Sequence, residues 1–283
     1  MDSPYEQTLQ NDISISGKGL FTGKETSIRL LPAEAGTGIL FQRIDLPEKP
    51  VIEASVQNVA EAYRCTCLNQ GETNILTVEH ILSALSAFQI DNVFIEVAGS
   101  EMPVGDGSAK IFVEALDKAK IRKLNSEKKV YTLDYPVSLR QGSTVLVALP
   151  SDEYQISYTL HYPHSKFLRS QYYSFLVNKT KYVQEIAPCR TFSLYEDIAP
   201  MLEKGLLKEA SLENGVVIKN NEVLNPEGIR FPDEMVRHKI LDLMGDISLI
   251  GKSFRAHIIA IKSGHATNVA FGKKLLQHFS RSQ

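Results

Sequence analysis

The chain has few cysteines, little excess charge of either sign and no long apolar run, and each shortage excludes a class of protein. Three cysteines, Cys65, Cys67 and Cys189, in 283 residues make no disulfide framework and agree with a reducing compartment. Cys65 and Cys67 in C-T-C would share one side of a strand. C-x-C without a second pair is a weak metal signal, however, and free cysteine is usually a small buried hydrophobe. A formal charge of -2, from 31 basic and 33 acidic residues dispersed along the chain, gives no reason to expect nucleic acid as a partner. No apolar run approaches the roughly 18–20 residues that span a bilayer. The opening M-D-S-P-Y-E lacks the charged and apolar regions of a signal peptide. A cytoplasmic protein is expected.

What is present is core material: 43% of the residues are hydrophobic, enough for one large or two ordinary domains. Strands are expected at Ile13–Ile15, Thr26–Leu31, Gly38–Arg43 and Ile52–Val56. A helix Thr77–Phe88 follows, with Asn74 or Thr77 available as its cap, then a strand Val93–Val97 and a helix Ala109–Leu116. Lys118–Lys129, rich in Lys, Arg, Asn, Ser and Glu, reads as a linker dividing the chain near Asn125 into 1–125 and 126–283. The second half restarts with strands Val130–Leu133, Thr144–Leu149 and Gln155–Leu160, an α+β pattern in each half.

The chemistry concentrates in M-V-R-H-K-I-L-D-L-M-G-D, Met235 to Asp246, a helix carrying His238, Asp242 and Asp246 at four-residue intervals. Each interval overshoots a full turn by roughly 40°, so His238 and Asp242 share a face. Val236, Ile240, Leu241, Leu243, Met244 and Ile247 fill the remaining surface. The helix is therefore buried, and a buried carboxylate needs compensation. Salt bridges to Arg237 or Lys239 would supply it, and so would a metal ion.

A second stretch bears on that choice. V-E-H-I-L-S-A-L, with Glu79 and His80, parallels V-R-H-K-I-L-D-L, and each is followed by a strand, a loop and a helix; the later set is His257–Ile261, 262–268 and Val269–Phe279. This points to a duplicated domain in which His80 joins His238 and Asp242. Three N and O ligands leave one tetrahedral position open, the pattern of a catalytic zinc site. Glu79, beside His80, is then placed as general base for a water whose pKa the ion lowers toward ~7. An ordinary first-turn Glu is the plainer account of it. In S-G-H-A-T-N, Gly264 leaves His265 on a loop edge, where Asp246 would favour its cationic form. Material between 191 and 225, a helix near Glu196–Lys204 and the strand pair V-V-I-K-N-N-E-V-L, finds no counterpart in the first half. It either packs on its parent domain or lines a groove for an apolar ligand.

T-V-E-H-I-L-S-A-L, I-D-N-V-F-I-E-V, P-V-G-D-G-S-A, A-P-C-R-T-F, R-F-P-D-E-M-V-R-H-K-I-L-D-L-M-G-D and K-S-G-H-A-T-N together resemble the UDP-3-O-acyl-N-acetylglucosamine deacetylases of Gram-negative lipid A synthesis. The resemblance runs over nearly the whole chain. It implies an α+β fold of two similar β-α-α-β sandwich domains packed face to face, each with an inserted element, and a zinc hydrolase site at their junction. On this sequence His80, His238 and Asp242 match the metal ligands, Glu79 the base, His265 the oxyanion-stabilising or acid histidine, and Asp246 its charged partner. Thr191 matches a hydroxyl on the tetrahedral intermediate, Phe192 a ring beneath the glucosamine, and Lys239 a contact to the polar or phosphate part; Gly264 joins the substrate contacts. Leu194, Ile198, Leu207, Ser211 and Val217 fall at positions lining a passage for the 3-O-acyl chain. The chain departs from the pattern at Phe21, where His is common, and at Glu209-Ala210, where two glycines are common.

Zinc suits two His and one Asp with an open position, and Fe(II) takes similar ligands. The partner implied is a small acylated sugar nucleotide, and a monomer is expected. Two other readings stay open: a metal-dependent amidase on another substrate, and a non-catalytic interaction module in which the His and Asp residues bind a structural metal.

Overall fold

Alternating apolar and polar residues make the strands of each half, with one face turned to a core. In the computed structural model, residues 3–62, 64–205 and 207–281 are described. The first half runs β1 (Tyr5–Leu9), β2 (Ile13–Lys18), β3 (Glu25–Pro32), β4 (Ile39–Arg43), β5 (Val51–Glu53), β6 (Val59–Ala60), β7 (Cys67–Gln70), β8 (Thr73–Leu76), α1 (Glu79–Ala87), β9 (Val93–Ala98), α2 (Lys110–Ala119) and β10 (Ile121–Glu127). The second runs β11 (Val130–Thr132), β12 (Val137–Gln141), β13 (Thr144–Leu149), β14 (Tyr154–Tyr162), β15 (Arg169–Leu176), α3 (Lys179–Lys181), a π-helical turn (Tyr182–Ile186), β16 (Phe192–Leu194), α4 (Tyr195–Glu203), β17 (Val216–Lys219), β18 (Glu222–Val223), α5 (Glu234–Ser248), β19 (Ser253–Ile261) and α6 (His265–Arg281).

The sheet orders show the duplication directly. One sheet is β2-β3-β9-β4-β5 and the other β12-β13-β19-β14-β15, with β11 added beside β19. In both, the third strand is antiparallel to the second and parallel to the fourth. Such a parallel pair needs a crossover, and α1 and α5 each lie in one. The fold is thus α+β with two matching halves.

Two features read from the residues alone need correction. The first half does hold an insertion, as the family resemblance implied: β6-β7-β8 form a three-stranded sheet between β5 and α1, the same place that α3 to β18 occupy between β15 and α5. Its strands are two to four residues long and partly polar, too short to carry a readable period. Lys118–Lys129 is not an open linker either. It contains β10, which pairs antiparallel with β1 and keeps most of its polar side chains exposed, so its composition mimics a linker.

The helix layers meet where α1 packs against α5. Both bury nearly their whole surface, polar side chains such as Glu79, His80, His238 and Asp242 included. Leu82, Leu85, Ile240 and Leu243 are fully buried, each burial worth roughly 1.5–3 kcal/mol. At the crossing, Gly245 lies so close to Glu79 that an added Cβ would overlap the Glu79 carbonyl oxygen. A helical glycine normally destabilises; here it sets the helix spacing and so the site.

Candidate metal centre

The crossing brings together His80 from α1 and His238 and Asp242 from α5, all buried. One ligand atom of each lies within 4.8 Å of the others. His238 Nε2 is 3.3 Å from Asp242 Oδ1, and His80 Nε2 is 3.8 Å from the same oxygen. Ligands about 2.0–2.1 Å from a tetrahedral ion stand about 3.3–3.4 Å apart, so small side-chain movements suffice to close this set on one cation.

The donors have the required form. His238 Nδ1 donates to the Cys189 carbonyl at 3.0 Å, which leaves its Nε2 lone pair facing His80 and Asp242. Burial, reinforced by His238, pushes His80 down to about 3, and burial also lowers His238. Both imidazoles are therefore neutral, the ligand state. Burial alone would raise Asp242, but the basic groups around it, the Lys239 ammonium among them, outweigh it and hold the carboxyl well below the usual range. Lys239 Nζ takes the other oxygen, Oδ2, at 2.7 Å, and Arg237 turns away to Asp233 at 2.7 Å. The salt bridge and the ligand reading of Asp242 thus use different oxygens.

α1 starts without a side-chain cap: Val78 is its N-cap. Thr77, at φ +62°, turns the chain out of β8 and contacts Glu101 instead. Glu79, in the first turn, is buried. Its Oε2 accepts the Thr66 N–H at 3.0 Å, and its Oε1 is 4.0 Å from His265 Nε2. Burial pushes its carboxyl up to about 7, with Asp246 and Asp242 adding and His265 opposing.

His265 is not on a loop edge, as the sequence suggested, but begins α6. The Asn268 N–H donates to the Gly264 carbonyl at 2.9 Å and the Gly264 N–H to Thr267 Oγ1 at 2.9 Å. This local capping starts the helix four residues before the expected Val269. His265 Nδ1 donates to Asp246 Oδ2 at 2.9 Å. Burial opposes the charged ring, but Asp246 prevails and lifts it to about 9. Two groups of opposite character therefore flank the triad, a carboxyl that ionises near neutrality and a histidine that stays cationic.

The triad opens into a cavity of about 850 Å³. Thr191 is held at its edge by its N–H to the Gly107 carbonyl, 2.8 Å, and by its own carbonyl, which accepts from Val216 at 2.7 Å. The Phe192 ring stands 6.5 Å from His238. Thr191, Phe192, Lys239 and Gly264 all line the cavity, and so do Ile198, Leu207, Ser211 and Val217. Leu194 does not; it packs against the main core. Phe21 adds an apolar wall, and Ala210 lines it too, while Glu209 pairs with Lys18 of β2 at 3.3 Å.

Three contributors were missed. Thr66 touches Glu79, Asp246 and His265, and nothing in C-T-C signals it. Asn268 Nδ2 donates to Asp246 at 2.8 Å. Buried Arg190 donates twice to Glu234 of α5, at 2.9 and 3.2 Å, fixing the segment whose Cys189 carbonyl orients His238. The last two lie inside stretches already singled out, where an amide or guanidinium next to a site residue was the available clue.

Residues 6–277 match the family described as LpxC, UDP-3-O-acyl N-acetylglycosamine deacetylase. The chain belongs to this family. It is 44% identical over 273 residues, 96% of this chain and 97% of the relative, to the UDP-3-O-acyl-N-acetylglucosamine deacetylase of Chlamydia pneumoniae. The protein of the same name from Chlamydia trachomatis serovar L2 is 42% identical over 278 residues, 98% and 97% of the two chains. The family is metal-dependent, and among the described residues His80, His238 and Asp242 form a group that could hold an ion. Among the described residues no helix is long and apolar enough to cross a membrane.

Proposed function

We propose that the chain removes the N-acetyl group of UDP-3-O-acyl-N-acetylglucosamine, giving UDP-3-O-acyl-glucosamine and acetate, a step of lipid A biosynthesis, in the cytoplasm. The observation that carries this reading is the triad flanked by Glu79 and His265 at the head of an apolar cavity. The first half supplies Glu79 and His80, the second His238, Asp242, Asp246 and His265.

The cation, which we take to be zinc from the two-His, one-Asp donor set, supplies Lewis acidity when bound, polarising a carbonyl oxygen and bringing water's pKa toward neutrality. The chain's own residues do the rest. Glu79, ionised, takes the proton of the attacking water, its Oε2 steadied by Thr66. The Thr191 hydroxyl donates to the oxygen that gains charge on the tetrahedral carbon. His265 adds a positive charge on the same side and gives the Nε2 proton to the departing nitrogen, so that acetate and a free 2-amino group leave. Asp246, fixed on Nδ1, keeps that ring oriented and charged. Phe192 and Lys239 hold the sugar nucleotide. The walls from Ile198, Leu207, Ser211 and Val217 take the acyl chain, each buried methylene contributing about 0.8 kcal/mol of selectivity.

The test is acetate release from the acylated substrate beside unacylated UDP-N-acetylglucosamine, with and without chelation and zinc restoration. Activity that requires both acyl chain and metal is expected. Equal turnover of the unacylated nucleotide would move the reading to another amidase, and no acetate from folded, zinc-loaded protein would leave a non-catalytic module.

A further inference from the structure

We propose that Thr66 is a positioning residue for the reaction: its peptide N–H and its hydroxyl hold Glu79 and the Asp246–His265 pair in one fixed arrangement across the junction of the two halves. The proposal rests on the reading of Glu79 and His265 given above and adds to it a residue outside the stretches that carried the family resemblance.

Thr66 is 1% exposed and stands just before β7, in the insertion of the first half. Each polar group it has is committed. Its N–H goes to Glu79 Oε2 at 3.0 Å. Its carbonyl accepts from Val78 N–H at 3.3 Å, at the start of α1. Its hydroxyl lies 2.5 Å from Asp246 Oδ1 and 3.2 Å from His265 Nδ1. A hydroxyl has one proton, and an ionised carboxylate can only accept, so that proton goes to Asp246, at a separation typical of a charge-assisted bond. The hydroxyl oxygen then presents a lone pair to the Nδ1–H of His265, which is already bonded to Asp246 Oδ2. With Nδ1 acting as donor to both, the ring has one orientation, and Nε2 is the nitrogen that faces Glu79 and the cavity.

The two Asp246 oxygens are served from different directions. Oδ2 receives His265 and Asn268, both from α6, whereas Oδ1 receives Thr66. Without the Thr66 hydroxyl, Oδ1 of a fully buried carboxylate loses that donor and the group can rotate, carrying His265 with it. Glu79 keeps its backbone donor, so the defect falls on the acid side. A threonine chosen only for packing would not need its hydroxyl; a positioning residue does.

The test compares Thr66→Val, Thr66→Ala and Thr66→Ser with the wild type in acetate release, reading kcat and KM separately, together with bound metal and the imidazole Nδ1–H proton signal of His265 by NMR, assigned by its loss in His265→Gln. In Thr66→Val we expect kcat to fall ~10-fold or more, from the loss of a hydrogen bond to a charged group. KM should stay within about twofold, with metal content unchanged. The Nδ1–H signal should shift or broaden, and Thr66→Ser should restore both it and kcat. A folded, metal-loaded Thr66→Val with wild-type kcat and an unmoved signal overturns the proposal. So does an equal loss in Thr66→Ser, which would assign the effect to side-chain shape. If neither Thr66→Val nor Thr66→Ala folds while Thr66→Ser does, the hydroxyl serves the fold and the proposal also fails. An inactive wild type whose His265 signal still responds to Thr66→Val would instead strike the proposed reaction and leave the arrangement standing.

Discussion

Replacing Gly245 with Ala tests whether the α1–α5 crossing sets the geometry of the site. In an exposed helix this change would stabilise by roughly 0.5–1 kcal/mol. Here an added Cβ would sit 2.7 Å from the Glu79 carbonyl carbon and 2.9 Å from its Cα. Carbon atoms meet comfortably at about 3.5–4.0 Å, so the helices must part by about 1 Å. Overpacking of that kind costs about 1–3 kcal/mol, which against the helix-propensity gain leaves a net loss of about 0–2.5 kcal/mol. Activity should suffer more, because the displaced segment carries Glu79 and His80. A shift of about 1 Å at reacting groups costs on the order of 100-fold, or about 2.7 kcal/mol of transition-state stabilisation. The assays are urea unfolding, metal content and kcat for acetate release. A Gly245→Ala protein more stable than wild type and equally active would refute the crossing argument.

Glu79→Gln should keep the metal, since Glu79 stands outside the ligand set, and lose at least ~100-fold in kcat as expected of a general base; loss of metal instead would make Glu79 a ligand. His238→Ala should lose metal binding, measured by equilibrium dialysis, and activity with it. The pH profile of kcat/KM should rise as Glu79 ionises, at or below about 7 because a bound cation favours the carboxylate, and fall as His265 loses its proton near about 9. A flat profile between pH 8 and 10, about a unit either side of that value, would remove His265 as the acid. The same histidine makes a stability prediction. Its folded pKa is raised above the ordinary 6.5, so its contribution is complete below about 6.5 and is lost as pH rises through about 9, which unfolding curves across that range will show.

How much of this was legible in the sequence depended on length scale. The two helices and their His and Asp residues stood out because four-residue spacing on a buried helix is a local property, and so did the main strands, whose alternation is long enough to count. β6 to β8 were not legible, being stabilised by pairing within their own small sheet rather than by an apolar period of their own. β10 was hidden because a half-exposed strand is built from linker-like residues. His265 was placed on a loop because its helix start is made by contacts among Gly264, Thr267 and Asn268 rather than by an apolar repeat. Thr66 could not be found at all: its role comes from where β7 docks, and that is tertiary information.

The duplication also explains why the described residues hold one candidate metal group and not two. Set on their histidines, α1 and α5 place Ala84 opposite Asp242, and Phe88 opposite Asp246. The first half therefore offers one imidazole and no carboxylate at those positions, and the second offers an imidazole with both acids. A twofold scaffold brings the histidines into edge-to-face contact, with ring centroids 5.1 Å apart, and Asp242 of α5 is the acid that would complete a ligand set with them. The counterpart of Glu79 in α5 is Arg237, which points away to Asp233, so only the first half sets a carboxylate beside its histidine at that position. The two insertions finish the asymmetry. The first provides Thr66 beneath the acid and base, and the second provides Thr191, Phe192 and the apolar walls. A symmetric pair of halves thus becomes an asymmetric site, in which Glu79 and His265 line one cavity together with the apolar side chains of the second insertion.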